Sequence, residues 1–232
     1  MKKTGKRYAS LVKSFNPKDT YDYKEAVAIV KKNATAKFDE SFEFAISLGV
    51  DPRKADQLVR GTVALPHGTG KSVRVLVMCK SPKDKDALAA GADYAGLEEY
   101  VEKIKGGWTD IDVIVATPDV MGEVGKLGRV LGPRGLMPNP KSGTVTFDVA
   151  TAVKEVKGGK IEYRVDKNGN VHAAVGKCSF TTQQLEENAL ALYQSVARAK
   201  PQSAKGKYIK SINFTSTMGP GVKVSESSLP TV

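Results

Sequence analysis

The stretch Pro66-His67-Gly68-Thr69-Gly70-Lys71-Ser72-Val73-Arg74-Val75-Leu76-Val77-Met78 decides how this chain is divided. Its glycines form a seam ahead of a short apolar run, the pattern of a strand covered on both faces. Gly158-Gly159 closes the segment that this run opens. Between the two seams, the apolar runs at 73–78 and 113–116 alternate with helical patterns at 83–90, 97–105, 119–130 and 149–156. Such alternation predicts a doubly wound sheet with helices on both faces, a three-layer Rossmann-like α/β domain.

Outside the seams the periodicity changes. Ala26, Val27, Ile29 and Val30 recur at helical spacing within 23–33, whereas Phe42, Phe44, Ile46, Leu48 and Val50 alternate strictly, as in a half-buried strand. Ile161-Glu162-Tyr163-Arg164-Val165 and Val171-His172-Ala173-Ala174-Val175 flank Asp166-Lys167-Asn168-Gly169-Asn170, and the Asn-Gly pair predicts a β-hairpin. Thr181 and Thr182 can cap a helix over 183–199 that ends before Pro201, and 208–214 reads as a last strand. Four strands and two helices suffice for a two-layer α/β domain. The expected organisation is therefore one discontinuous domain, 1–67 plus 159–232, interrupted by an inserted domain, 68–158.

Charge supports that division. The chain has 232 residues, 36 of them Lys or Arg and 25 Asp or Glu, for a net charge of +11. Residues 1–67 hold 13 basic and 8 acidic side chains, 68–160 hold 14 and 12, and 161–232 hold 9 and 5. The outer segments thus hold +9 of the excess, which favours a polyanionic partner for them. No apolar run approaches the roughly 20 residues of a bilayer span, and 1–13 lacks the apolar core of a secretory signal, so a cytoplasmic protein with no membrane partner is expected. Cys79 and Cys178 match no metal spacing and read as reduced, buried thiols. With only His67 and His172 besides, no metal and no cofactor are expected.

Catalytic motifs are weak. Gly68-Thr69-Gly70-Lys71-Ser72 resembles a phosphate loop, but Leu65 stands where the leading glycine belongs and a strand follows instead of a helix. A nucleotide-using enzyme is thereby disfavoured, and the segment reads as an interdomain seam. Gly122, Gly125 and Gly128 share one helix face, where close packing is the ordinary reading. Asp110 and Asp112 read as solvated turn carboxylates, and His172 as a surface strand residue. A general RNA chaperone remains open on charge alone. Better suited to sugar and phosphate is Thr215-Ser216-Thr217-Met218-Gly219-Pro220-Gly221, where hydroxyls meet bare backbone.

Several blocks resemble one family. They are Ala34-Thr35-Ala36-Lys37-Phe38-Asp39-Glu40, Arg60 to Gly68, Gly91-Ala92-Asp93-Tyr94, Ala116 to Met121, Leu131-Gly132-Pro133-Arg134-Gly135-Leu136-Met137-Pro138-Asn139-Pro140-Lys141, and Thr217-Met218-Gly219-Pro220. In order and over nearly the whole chain they are similar to the bacterial L-one family of large-subunit ribosomal proteins. The resemblance implies two domains, one inserted in the other, and a non-enzymatic protein that binds large-subunit ribosomal RNA as part of a mobile stalk. It also implies help in releasing deacylated tRNA from the exit site, repression of its own operon through the messenger RNA, and a monomer off the ribosome. Carried over by motif, the RNA surface falls on Lys37, Phe38, Ser41, Glu43, Arg164, Lys167, His172, Thr215, Ser216, Thr217, Met218 and Gly219. Arg53 and Arg60 join it as basic residues of the same domain. Gly68, Gly70, Gly158 and Gly159 become the hinge.

Overall fold

The computed structural model describes residues 5–229. The chain runs through α1 (Lys6–Val12), α2 (Tyr23–Asn33), β1 (Ser41–Leu48) and β2 (Arg60–Ala64). It continues through β3 (Val75–Met78), α3 (Lys83–Ala89), β4 (Tyr94–Gly96), α4 (Glu98–Lys105), β5 (Val113–Ala116), α5 (Met121–Lys126), α6 (Gly128–Leu131) and α7 (Val149–Lys157). It returns as β6 (Lys160–Arg164), β7 (Asn170–Lys177), α8 (Thr182–Arg198), β8 (Ile209–Ser216) and β9 (Val222–Val224). Two compact units result: the residues up to Gly70 together with those from Ile161 onward, and Lys71–Lys160 between them. These divisions lie a few residues past the sequence seams, and at the first of them Asn188 ties His67 and Gly68 to the discontinuous unit. The buried Asn188 amide accepts from the His67 N–H at 3.0 Å and donates to the carbonyls of Gly68 at 2.9 Å and Val175 at 2.7 Å.

The discontinuous unit is built on an antiparallel sheet of order β7-β1-β8-β9. Strand β1 sits inside it, and its alternation is read out directly: Phe42, Phe44, Ile46 and Leu48 are buried, while Ser41, Glu43, Ala45 and Ser47 are half-buried on the other face. Helices α2 and α8 cover the apolar face, contributing Ala26, Val27 and Val30 from one and Leu185, Ala189, Leu192 and Val196 from the other. Asp22 caps α2 by accepting from the Lys24 N–H, and Thr181 with Gln184 closes a reciprocal capping box on α8.

Two expectations need correction here. The Asn-Gly turn forms, with Gly169 at φ 84°, but the strands beside it separate: β6 pairs with β2 in its own two-stranded sheet, while β7 pairs with β1. Only the Val165–Val171 bridge joins them across the turn. The type I′ turn that Asn-Gly favours requires positive φ at both central residues. Here no non-glycine residue has it, and Asp166 instead organises a wider loop by accepting from the backbone N–H groups of Asn168 and Asn170. The fourth strand of the main sheet is β9, which is too short to show a period in the sequence.

The inserted unit is a parallel sheet of order β4-β3-β5. Val75 and Val77 pack toward α3 and α7, and Leu76 and Met78 toward α4, α5 and α6, so both faces are covered as expected of a doubly wound arrangement. The helix expected over 119–130 breaks at Leu127 into α5 and α6. Gly122, Gly125 and Gly128 do not mediate close packing, since a Cβ added to any of them meets nothing within 4 Å. Cys79 is buried, whereas Cys178 is only half-buried; both are free, and burial pushes the Cys178 thiol up to about 11.

Asp112 is not a solvated turn carboxylate. It accepts from the Lys71 ammonium at 2.6 Å and from the Arg74 N–H at 3.1 Å, and these bonds hold its carboxyl near 2. A folded-state pKa depressed below the unfolded value stabilises at pH above the latter and ceases to do so as pH falls through about 2. Acid titration should therefore show the inserted unit losing on the order of 1 kcal/mol between about pH 4 and pH 2, after allowance for solvent screening. Asp112→Asn should flatten that part of the curve; an unchanged acid limb would mean that other carboxylates set it.

Candidate nucleic-acid interface

Cross-strand register places the sequence-selected residues in rows on the uncovered face of the main sheet. Glu43 stands between Ala174 on β7 and Thr215 on β8; Ala45 stands between His172 and Asn213, and Asn213 in turn faces Lys223 on β9. Side chains in such rows project to the same side. Among the described residues, Glu43, Asn213 and Lys223 make no side-chain hydrogen bond or ion pair, so their donors and acceptors face outward uncommitted. His172 is exposed, with Nε2 3.8 Å from an Asp166 carboxylate oxygen. The alanines at 45 and 174 leave the centre of the face low.

One end of β1 carries most of the remaining candidates. Phe38 is 55% exposed and Met218 49%, unusual for large apolar side chains, and Lys37 is exposed beside Phe38. Lys177 Nζ donates to the Ser41 hydroxyl at 3.1 Å. Thr217 continues the ladder past the end of β8: its N–H reaches the Ser41 carbonyl at 3.2 Å, and its hydroxyl accepts from the Ser41 N–H at 2.9 Å. The Thr217 hydroxyl is therefore engaged by the protein's own backbone, although the residue is exposed. Gly219 is required by space, since a Cβ there would lie 2.4 Å from the Ser216 hydroxyl.

Ser216 is a correction. Alternation along β8 turns it toward the helices, where it is 2% exposed, so it cannot be a surface contact. Arg60 and Arg164 also lie elsewhere, on β2 and β6 of the small sheet, with Arg60 engaged by Glu162 through Nε at 2.7 Å. Lys167 sits on the turn after β6, and Arg53 in the turn that follows β1. The eight residues of β1 span roughly 23 Å, so the candidates at its two ends form a strip rather than a pocket. Sequence reasoning missed Arg7, Lys177, Asn213 and Lys223. Asn213 was within reach, because Ser211, Asn213 and Thr215 alternate with Ile212 and Phe214; Arg7 and Lys177 act through partners far away in the chain.

Of the four glycines expected to form a hinge, Gly68, Gly70 and Gly159 adopt left-handed φ values of 66°, 70° and 97°. Gly158 does not; it caps α7 at φ −72°. Gly70 is also hemmed in, as a Cβ there would approach Phe180 to 2.9 Å. The phosphate-loop lookalike leads into β3, a strand where a phosphate loop has a helix, and its Lys71 donates to Asp112. Among the described residues no group of three His, Cys, Asp or Glu could hold a metal ion, and no helix is long and apolar enough to cross a membrane.

The fold defines a class: an α/β protein of two units, one discontinuous and one inserted, the first with an open polar sheet face. The chain belongs to the Ribosomal protein L1p/L10e family, whose model matches residues 30–220. It is 60% identical over 220 residues to the large ribosomal subunit protein uL1 of Chlorobium phaeobacteroides, covering 95% of this chain and 96% of that protein. It is 59% identical over 226 residues to the protein of the same name from Chlorobaculum tepidum, covering 97% and 98%. A ribosomal protein of this family is not an enzyme.

Proposed function

We propose that the chain is a ribosome-bound, cytoplasmic constituent of the large subunit that binds large-subunit ribosomal RNA through the open face of its discontinuous unit. The observation that carries this reading is the set of uncommitted polar groups, Glu43, Asn213 and Lys223, in two adjacent rows of a sheet whose other face is covered by α2 and α8. A carboxylate among cations suits RNA better than a plain phosphate surface, since Glu43 can accept from a base amino group or a 2′-hydroxyl. Exposed Phe38 and Met218 offer stacking surfaces at one end of the strip. The strip would take a similar structure in the messenger RNA of its own operon, and thereby repress it. The inserted unit, joined at Gly70 and Gly159, would swing as part of a mobile stalk that helps exit-site tRNA depart.

Phe38→Ala provides the test. Loss of one base–aromatic stack costs about 1–3 kcal/mol, so affinity for the ribosomal RNA should fall about ten- to a hundredfold. The dependence of affinity on salt should not change, because no phosphate-neutralising cation is lost. Titrations at several salt concentrations, together with a footprint on large-subunit RNA, check both points; wild-type affinity in Phe38→Ala would remove this face from the interaction.

A further inference from the structure

Among the described residues Glu40 is the one buried charged side chain, 1% exposed, and no lysine or arginine pairs with it directly. Its two oxygens serve two loops. Oε1 accepts from the Ala36 N–H at 2.8 Å, in the loop that carries Lys37 and Phe38; Oε2 accepts from the Met218 N–H at 2.9 Å, in the loop that follows β8. Arg7, projecting from α1, reaches the same two loops from outside. Its guanidinium donates to the Met218 carbonyl at 2.7 Å and approaches the Thr35 hydroxyl at 3.5 Å. The Met218 peptide is thus held at its N–H by one side chain and at its carbonyl by another.

We propose that Glu40 and Arg7 form a two-sided brace that locks the 34–40 loop to the 217–219 loop, so that Phe38 and Met218 meet RNA already ordered. Glu40 is a positioning residue, and its role rests on the RNA-binding reading above. Loops ordered in the free protein need not be ordered at the moment of binding, which raises affinity without a new contact. An apolar side chain at 40 would fill the space and leave both amides without an acceptor. The groups facing the carboxylate are the Ala36 and Met218 amides, the Ser216 hydroxyl, the Arg7 guanidinium and the Cys178 thiol, whose raised pKa keeps it neutral while Glu40 titrates. Burial opposes ionisation, but together the amides, the hydroxyl and the guanidinium hold the pKa below the ordinary glutamate value.

The test uses the full chain. In nuclear magnetic resonance spectra of the free protein, the amide shifts of Ala36 and Met218 should titrate together, with one midpoint below that of an ordinary glutamate, and Glu40→Gln should abolish this titration. Glu40→Gln should weaken binding to a large-subunit ribosomal RNA transcript about tenfold with the salt slope unchanged. Arg7→Gln, at an exposed position where folding is not at risk, should weaken it about threefold, and the double variant by less than the product of the two losses. If Glu40→Gln fails to fold, the titration and Arg7→Gln decide. Separate midpoints for the two amides, independent losses in the double variant, or wild-type binding by Arg7→Gln would each overturn the brace. Phe38→Ala keeps the two readings apart: if it weakens binding and both brace variants bind as wild type, only the brace fails; if it binds as wild type, the RNA face fails and the brace's role with it.

Discussion

Phe214→Ala should remove about 3–5 kcal/mol from the stability of the discontinuous unit. Phe214 is fully buried on β8 and forms the hub of an aromatic cluster, with ring centroids 4.8 Å from Phe44, 5.2 Å from Phe42 and 6.1 Å from Tyr23. Those partners come from α2 and β1, so truncation on β8 opens a cavity where three elements meet. The inserted unit has separate cores on either side of β3 and shares none of these side chains. Calorimetry should accordingly show one transition moving down by many degrees while the other stays in place. A uniform shift of both would mean that the units unfold together.

Asn188→Leu should be almost as costly, for a different reason. The replacement fits an apolar helix face but strands the His67 N–H and the carbonyls of Gly68 and Val175. A buried group left without its partner costs about 1–3 kcal/mol. The loss should be felt first at the seam, because two of the three bonds hold residues 67 and 68. Limited proteolysis should then cut within 66–72 at a rate well above that of the native chain, while α8 itself remains intact. Equal cleavage rates in both proteins would show that the seam is held by other contacts.

Much of this architecture was legible in the sequence wherever a period was long enough to count. Strict alternation along β1 identified both faces of the main sheet, and the helical spacing in α2 and the capping residues of α8 marked the layer that covers one of them. Contributions that depend on distant partners were not legible. The separation of β6 from β7 follows from what each strand finds elsewhere, β2 for one and β1 for the other, and no local pattern records that choice. Ser216 looked like one more hydroxyl in a polar run, and only the register of β8 turns it inward. Glu40 is the extreme case: one of its amide partners is 4 residues away and the other 178, so its neighbourhood in the chain resembles any acidic turn.

The placement of β1 between β7 and β8 has a consequence for the order in which the protein comes into being. β1 leaves the ribosomal tunnel early, yet both neighbours that satisfy its edges lie beyond the inserted unit. At about 5–20 residues per second, β1 waits on the order of ten seconds or more for β8. The inserted unit, contiguous in the chain, has all its strands available well before then. A chain halted before Ile209 has neither the second edge partner of β1 nor the loop that Glu40 holds. On the RNA-binding reading proposed above, a chain halted short of β8 would present neither the completed sheet face nor the Met218 loop.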